Sequence, residues 1–226
     1  MNMKIKQLSS YFIAFCILFG LLAFITIIIK TTGLVEAAVT SDAPSLWAAD
    51  EVDAAISAGL VPQNLQKNYT QPVSRGEVAQ MFINLVEQTT GQDVDAYLAA
   101  KGTNINYNAF SDTTDKAILS ANALGLIHGT GDGKFSPDIT LTRAQIAAII
   151  NRYAILFGVG VSGYSHSFTD VTGHWVSSEL GWPVHAKIIQ GVGDNLFNPD
   201  EPLTVEQAIA ITYRAFKADK TNPPAK

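Results

Sequence analysis

The chain has 226 residues, of which 47% are hydrophobic and 15% are charged, and its formal net charge is −5. This length accommodates one domain of ordinary size or a few small repeats, and it excludes a large multidomain enzyme. The acidic balance also argues against nucleic-acid binding, which relies on lysine and arginine to release counterions from the phosphates.

The first 38 residues predict an export leader. Two lysines precede an apolar run over residues 11–29, and small residues follow, with a cleavage site expected after Ala37. The apolar run is also nearly long enough to cross a membrane, so an uncleaved N-terminal anchor is the alternative. In both cases residues 40–226 lie outside the cytoplasmic membrane. Because the leader holds three of the 15 basic residues and one of the 20 acidic residues, the exported part carries −7.

The single cysteine, Cys16, lies within the apolar run. The exported part therefore forms no disulfide and has no thiolate nucleophile or thiolate metal ligand. We expect its fold to be held by a hydrophobic core alone.

An internal repeat occupies most of the exported part. Residues 126–145 align without a gap with residues 188–207, and the glycine, aspartate, phenylalanine and proline positions of the loop are shared. A Phe-x-Asp entrance motif, at Phe110 and again at Phe168, precedes both segments. Self-similarity at a fixed period is the signature of a repeat architecture. The expected boundaries are 46–88 for a weaker first copy, 110–158 for the second, 168–218 for the third and 219–226 for a flexible tail.

Each copy has the pattern of a helix, an ordered loop and a second helix. In the first copy Val52, Ala55 and Ile56 lie on one helical face, and Gly59 ends that helix in a left-handed cap. The second helices carry apolar stripes that one helix pair of this size cannot cover alone. The sequence therefore predicts a mainly α fold, in which three helix-loop-helix repeats form one three-lobed domain, with an extra helical turn near residues 93–100.

Each second helix begins with a capping-box sequence. Ser74, Thr142 and Thr204 are each followed three residues later by Glu or Gln. In this arrangement the hydroxyl accepts a hydrogen bond from the third helical amide, and the Glu or Gln side chain accepts one from the cap residue. Helix initiation alone explains these residues.

The arginines that follow two of the caps need a separate explanation. Arg75 and Arg143 occupy the first helical position, where a cation opposes the helix dipole at a cost of about a few tenths of a kcal/mol. An acidic group beside each guanidinium would offset that cost. The acidic group is either a ligand carboxylate at the helix N-terminus or an aspartate of a neighbouring repeat, such as Asp112 or Asp170. The spacing does not choose between these two hypotheses.

Patterns typical of enzymes are missing from the sequence. The loop over residues 129–133 lacks the Gly-Lys-Ser/Thr ending of a phosphate loop and the ligand pattern of a calcium loop. The four histidines have no metal-ligand spacing, and no nucleophile-elbow sequence is present. We expect Glu179 and Glu206 to be solvated helix residues. The sequence predicts no catalytic activity, no cofactor and no metal site.

The ordered motifs resemble a known family. Phe168-Thr-Asp-Val-Thr-Gly-His-Trp175, the Gly-x-Gly-Asp-x-x-Phe-x-Pro loop and Leu141-Thr-Arg-Ala-Gln145 closely resemble the S-layer homology repeat of bacterial cell-envelope proteins. The resemblance covers three repeats and nearly the whole exported part. It implies a pseudo-threefold, mostly helical domain whose grooves between repeats bind secondary cell-wall polysaccharide, often through a terminal pyruvylated amino sugar.

The resemblance also implies roles for individual residues. The motif arginines would contact the pyruvyl carboxylate, two aspartates would be sugar or arginine partners, two tryptophans would be walls for the sugar face, and two glycines would allow close backbone approach. The groove that uses Arg143 is the preferred one. The candidate glycan-binding residues are Arg75, Arg143, Asp112, Asp170, Trp47, Trp175, Gly129 and Gly191.

No copy carries the complete motif. The third copy has Val205 in place of the arginine, the second lacks the His-Trp pair, and the first lacks the Phe-x-Asp entrance and the Gly-Asp-Gly loop. The number of functional grooves therefore stays open, and the repeats can also have kept the fold while losing saccharide binding.

Two functional hypotheses follow. The first is an exported, non-catalytic module that attaches to cell-wall polysaccharide at the bacterial surface. The alternative is a structural or adaptor protein, tethered to the outer face of the cytoplasmic membrane by residues 11–29, that binds a protein partner. A wall-active enzyme would need a catalytic domain for which the repeats leave no residues.

Overall fold

The computed structural model describes residues 42–221, with side chains to residue 218. The leader predicted over residues 1–38, its cleavage site and Cys16 lie outside the described residues, as does the last part of the predicted tail. Within the described range, no helix combines the length and the hydropathy needed to cross a membrane.

The described part is mainly helical, as the sequence predicts. Three long helices correspond to the second helix of each copy, and a shorter one occupies the position of the predicted extra turn. Extended segments in this range pair only through isolated β-bridges. The α-helices are α1 (Ala49–Ser57), α2 (Arg75–Thr90), α3 (Val94–Ala100), α4 (Lys116–Ala123), α5 (Arg143–Leu156), α6 (Gly181–His185) and α7 (Val205–Thr221), and two 3-10 helices span Gln63–Leu65 and Trp175–Glu179.

The predicted capping boxes are confirmed at the three long helices. The Glu77 amide donates to the Ser74 hydroxyl at 3.3 Å, and the Ser74 amide donates to the Glu77 carboxylate at 2.7 Å. The same reciprocal pair begins α5 at Thr142 and α7 at Thr204. Each long helix therefore starts where its local sequence dictates.

Three extended segments, one just before each long helix, meet in a closed cycle of backbone hydrogen bonds. The Val73 amide donates to the Leu203 carbonyl at 2.8 Å, the Leu203 amide to the Leu141 carbonyl at 2.9 Å, and the Leu141 amide to the Val73 carbonyl at 2.9 Å. All three side chains are fully buried. The cycle ties each copy to both of the others at the centre of the core.

The first amides of each long helix extend this pattern outward. The Arg75 amide donates to the Ile139 carbonyl and the Gly76 amide to the Pro137 carbonyl, each at 2.9 Å. Helix N-termini leave such amides without intrahelical partners, and here a loop of another copy supplies the acceptors. The equivalent pairs are Arg143 with Glu201, Ala144 with Pro199, Val205 with Gln71 and Glu206 with Tyr69, at 3.1, 2.8, 2.9 and 2.8 Å.

The entrance helices pack across copies as well. α1 packs on α7, α4 packs on α2, and the 3-10 helix at Trp175–Glu179 together with α6 packs on α5. The apolar stripe of each long helix is thus covered by the entrance helix of the copy that follows it in cyclic order. Residues of these stripes that are buried include Val78, Met81, Phe82, Leu85, Ile146, Ile149, Ile150, Tyr153, Ile209 and Phe216.

The Phe-x-Asp entrance motif holds the loop that precedes the long helix. The Asp112 carboxylate accepts hydrogen bonds from the amides of Phe135 and Ser136, at 2.9 and 2.8 Å. Asp170 does the same for Phe197, at 2.9 Å, and for the following amide, at 2.7 Å. The bond from the Phe135 amide is the main cause that lowers the pKa of Asp112. At Asp170, burial raises the pKa, but the amide hydrogen bonds outweigh it and the pKa is lowered.

A glycine at the start of this loop is required by close packing. A Cβ on Gly129 would lie 2.6 Å from the Lys134 carbonyl oxygen and 2.7 Å from the ring of Phe110. A Cβ on Gly191 would meet the equivalent carbonyl at 2.6 Å and the ring of Phe168 at 2.5 Å. The aromatic of the entrance motif therefore packs directly on the glycine backbone.

We predict that Gly129→Ala and Gly191→Ala each destabilise the domain by about 1–3 kcal/mol, because the methyl group overpacks against a backbone carbonyl and a ring. Gly160→Ala is the matched control, since its Cβ would meet nothing within 4 Å. The measurement is the free energy of unfolding in urea. Equal stability of Gly129→Ala and the control would contradict the packing argument.

We predict that Asp112→Asn and Asp170→Asn lower stability at pH 7, and that the deficit shrinks as the pH falls below about 4, the ordinary range of an aspartate. The pKa of each carboxyl is lowered in the folded protein, so the stability it contributes is present at neutral pH and is lost on protonation. Urea unfolding at several pH values between 3 and 7 measures the deficit. Asp138→Asn, at an exposed position of the same loop, is the control. A stability deficit that does not change with pH would refute the proposed role of the charged carboxylates in holding the loops.

Candidate functional site

The two candidate arginines lie in two grooves whose linings correspond at eight of nine residues. The Arg75 groove encloses about 270 Å³ and the Arg143 groove about 260 Å³. The Arg75 groove is lined by Arg75, Ile127, His128, Gly129, Gln145, Ala148, Ile149, Arg152 and Trp175. The Arg143 groove is lined by Arg143, Gln190, Gly191, Val192, Gln207, Ala210, Ile211, Arg214 and Trp47.

The structure therefore groups most of the candidate residues as two sets. In the Arg75 groove the arginine comes from the first copy, Gly129 from the second and Trp175 from the third. In the Arg143 groove the arginine comes from the second copy, Gly191 from the third and Trp47 from the first. Each groove thus needs all three copies. The aspartates Asp112 and Asp170 line neither groove, and they hold the loops behind them instead.

Each motif arginine binds the loop of the next copy through backbone carbonyls. The Nε of Arg75 donates to the Phe135 carbonyl at 3.1 Å, and its Nη2 donates to the His128 carbonyl at 2.6 Å. The guanidinium carbon lies 4.7 Å from the centroid of the Phe135 ring, a cation–π contact. The side chain is only 6% exposed.

Arg143 repeats this geometry. Its Nε donates to the Phe197 carbonyl at 2.7 Å, its Nη2 donates to the Gln190 carbonyl at 2.9 Å, and its guanidinium carbon lies 4.7 Å from the Phe197 centroid. Among the described residues, no carboxylate forms an ion pair with either motif arginine. Carbonyl oxygens hold each guanidinium where a neighbouring aspartate was one of the two hypotheses, and no described group hydrogen-bonds Nη1.

The two motif arginines differ in their electrostatic surroundings. Burial lowers the pKa of Arg75, and the positive charge of Arg152 lowers it further. Burial and Arg152 also lower the pKa of His128. Burial likewise lowers the pKa of Arg143, but there the negative charge of Asp170 acts in the opposite direction.

Exposed tryptophans form one wall of each groove. Trp47 and Trp175 are each 54% exposed although they contact the domain. Trp175 begins a 3-10 helix that is capped by His174, whose ring lies 5.5 Å from the indole. A large, flat apolar surface held beside arginine donors suits a ligand with one apolar face and one anionic group.

Sequence reasoning missed a second arginine in each groove. Arg152 on α5 and Arg214 on α7 each lie seven residues, about two helical turns, after Gln145 and Gln207, and therefore on the same helix faces as these glutamines. The two arginines are 62 residues apart, the period of the internal repeat. Extending the repeat alignment beyond the capping box would have identified them.

The third interface between copies is built differently. Val205 occupies the arginine position and is buried. Glu206 was expected to be solvated, and this expectation is wrong: its side chain is 5% exposed, and its carboxylate accepts hydrogen bonds from the amide and hydroxyl of Ser45, both at 2.8 Å. The carboxylate is buried because it lies at a helix N-terminus covered by the segment that precedes α1.

No cluster of histidine, cysteine, aspartate or glutamate within the described range has an arrangement that could hold a metal ion. The chemistry of the grooves is therefore that of hydrogen-bond donors, positive charge and aromatic surface.

Comparison with known proteins matches this architecture. The family model of the S-layer homology domain matches residues 111–147 and 167–209. These segments contain the repeated loops, Asp112, the entrance motif at Phe168 and Arg143, while Phe110 and the first predicted copy lie outside them.

Several proteins of known name are similar to part of the chain. A cell surface protein of Thermoanaerobacter kivui is 34% identical over 116 residues, which is 47% of this chain and 15% of the relative. A middle cell wall protein of Brevibacillus brevis is 30% identical over 104 residues, 45% of this chain and 10% of the relative. A cellulosome-anchoring protein of Acetivibrio thermocellus is 25% identical over 154 residues, 66% of this chain and 33% of the relative.

The chain thus spans a third or less of the length of these relatives. The matched segments include both repeated loops and the starts of α5 and α7, but not the start of α2 with Arg75. Residues 111–147 and 167–209 of the chain therefore belong to the S-layer homology domain family.

Proposed function

We propose that the chain is an exported, non-catalytic module that attaches to the bacterial cell wall by binding an acidic secondary cell-wall polysaccharide. The observation that carries this proposal is the pair of matching grooves, each with a buried arginine, a second arginine and a half-exposed tryptophan. The ligand in this proposal is a terminal amino sugar that carries a pyruvyl carboxylate.

The groove chemistry supports such a ligand. The apolar face of a sugar ring packs on the tryptophan, and the carboxylate meets arginine N–H groups through charge-assisted hydrogen bonds. Although the exported part is acidic overall, the cations of the groove form a local positive field that attracts an anionic glycan.

The names of the relatives support the location. They include a cell surface protein, a middle cell wall protein and a cellulosome-anchoring protein. A module of this kind at the cell surface agrees with the export leader, which stays a prediction. Binding at the wall would need no catalytic group, and the grooves hold none of the acid–base pairs that glycan hydrolysis uses.

The third interface favours a second candidate function. Because Val205 and the buried Glu206 leave that interface without its arginine, part of the domain is not built for anions. In the alternative, the chain is a membrane-tethered adaptor whose repeats bind a protein partner. N-terminal sequencing of the exported protein separates the two, since a start near Ala38 removes the tether.

We predict that Trp47→Ala combined with Trp175→Ala weakens sedimentation with purified cell walls by about tenfold or more, which corresponds to about 1.4 kcal/mol of binding free energy. The substitution removes the apolar wall of both grooves while sparing the buried arginines, which also hold the fold. Tyr107→Ala is the control, because Tyr107 is 61% exposed and lies outside both grooves.

Walls from which the pyruvyl groups have been removed should retain the wild-type protein as poorly as intact walls retain the double variant. Equal sedimentation of the double variant and the control would refute binding through the grooves. Undiminished binding to walls without pyruvyl groups would refute the carboxylate, and no binding to any wall would favour the adaptor.

A further inference from the structure

Each groove has a second arginine at the equivalent position, Arg152 or Arg214. Only one of the two forms an ion pair with a carboxylate. In the Arg143 groove, Arg214 forms a bidentate ion pair with Glu51 of α1, with N···O distances of 2.8 and 2.6 Å. The two side chains are 20% and 27% exposed, so the pair is largely shielded from water. In the Arg75 groove, Arg152 donates to the Leu126 carbonyl at 3.4 Å, and no described carboxylate forms an ion pair with it.

The cause of this difference lies in the entrance helices. Glu51 stands four residues after Trp47, and Glu179 stands four residues after Trp175, so the two glutamates are equivalent in sequence. Glu51 lies on an α-helix, whereas Glu179 lies on a 3-10 helix. Each residue turns about 100° in an α-helix and about 120° in a 3-10 helix, so the two carboxylates leave their helices in different directions.

Asn151, which precedes Arg152 on α5, is the second cause of the difference between the two grooves. The Glu179 carboxylate accepts a hydrogen bond from Asn151 Nδ2 at 2.7 Å, and the same amide group also donates to the Glu179 carbonyl at 2.8 Å. The equivalent position on α7 is Tyr213, which has no amide to offer. Asn151 thus binds the glutamate that would otherwise be available to Arg152.

The charges near the two motif arginines also make the Arg75 groove the more positive one. Arg143 is near the negative charge of Asp170, whereas the charge that acts most on Arg75 is the positive charge of Arg152. The Arg75 groove is therefore the more cationic of the two in both of its arginines. The third interface provides no comparable site, because Glu206 places its own carboxylate at the helix start.

We infer that the Arg75 groove is the principal carboxylate site of the domain, with Arg152 as a specificity-determining second contact, and that the Glu51–Arg214 ion pair weakens the Arg143 groove. This inference rests on the proposed function and names the groove and the residues that perform it. It reverses the order expected from the sequence motifs, which favoured the groove of Arg143.

The energetic argument compares what the ligand must displace. A carboxylate entering the Arg75 groove meets two guanidiniums that repel each other, so its charge stabilises both. A carboxylate entering the Arg143 groove must compete with the bidentate Glu51 for Arg214, or it binds beside that negative charge. The same ligand therefore binds the first groove more tightly.

The experiment is calorimetric titration of the purified exported protein with the methyl glycoside of a pyruvylated N-acetyl amino sugar, with Arg152→Gln and Arg214→Gln as a matched pair. We expect Arg152→Gln to weaken the tighter binding event by about tenfold or more, while Arg214→Gln removes only the weaker event. Lys67→Gln makes the same charge change at an exposed position outside both grooves and is the control. Thermal unfolding of each variant reports whether it is folded.

A gain-of-function variant tests the same inference from the opposite side. Glu51→Gln frees Arg214, so we expect the weaker event to tighten by about tenfold and the two grooves to become similar. Arg152→Lys keeps the charge and should recover part of the loss. The methyl ester of the ligand should bind wild type and Arg152→Gln alike.

The outcomes separate this inference from the proposed function. Binding of the glycoside with equal losses in the two arginine variants, or a larger loss in Arg214→Gln, overturns the inference and leaves the proposed function standing. Failure of wild type to bind both the glycoside and the intact wall polysaccharide overturns both.

Discussion

The structure depends on the cycle of backbone hydrogen bonds that joins Val73, Leu141 and Leu203. Each of these residues is buried, so an amide or carbonyl left without a partner there would carry a large desolvation cost. The cycle satisfies the groups only when three copies are present together. It also fixes the start of each long helix beside a loop of another copy, and this adjacency creates the grooves.

Within that arrangement the motif arginine has two roles. Arg75 uses Nε and Nη2 to bind the carbonyls of the next loop and packs on Phe135, which holds two copies together. The rest of its guanidinium faces a groove lined by Trp175 and Arg152. One side chain therefore links the fold to ligand binding, and the cation at a helix start is stabilised by carbonyl dipoles instead of a carboxylate.

The three interfaces share one plan but differ in charge. The differences arise from single positions: Val205 and Glu206 close one interface, Glu51 neutralises the second arginine of another, and Asn151 keeps the third open by holding Glu179. None of these changes disturbs the central cycle or the capping boxes. The repeat can thus vary its binding sites while its fold is retained, because the side chains that hold the backbone and those that set the groove charge are largely different.

The sequence by itself determined the features that are local to one copy. The capping boxes, the apolar stripes and the left-handed cap at Gly59 follow from short-range hydrogen bonding and helical periodicity, and the repeat period marks equivalent residues. The tertiary structure decided which residues of different copies meet. Trp175 joins Arg75, and Trp47 joins Arg143, because the entrance helix of each copy packs on the long helix of the copy before it in the cycle. The tertiary structure also decided the burial of Glu206 and the different partners of Glu51 and Glu179. The direction of a carboxylate depends on the helix type and on the neighbour that it meets, and a repeat alignment contains neither.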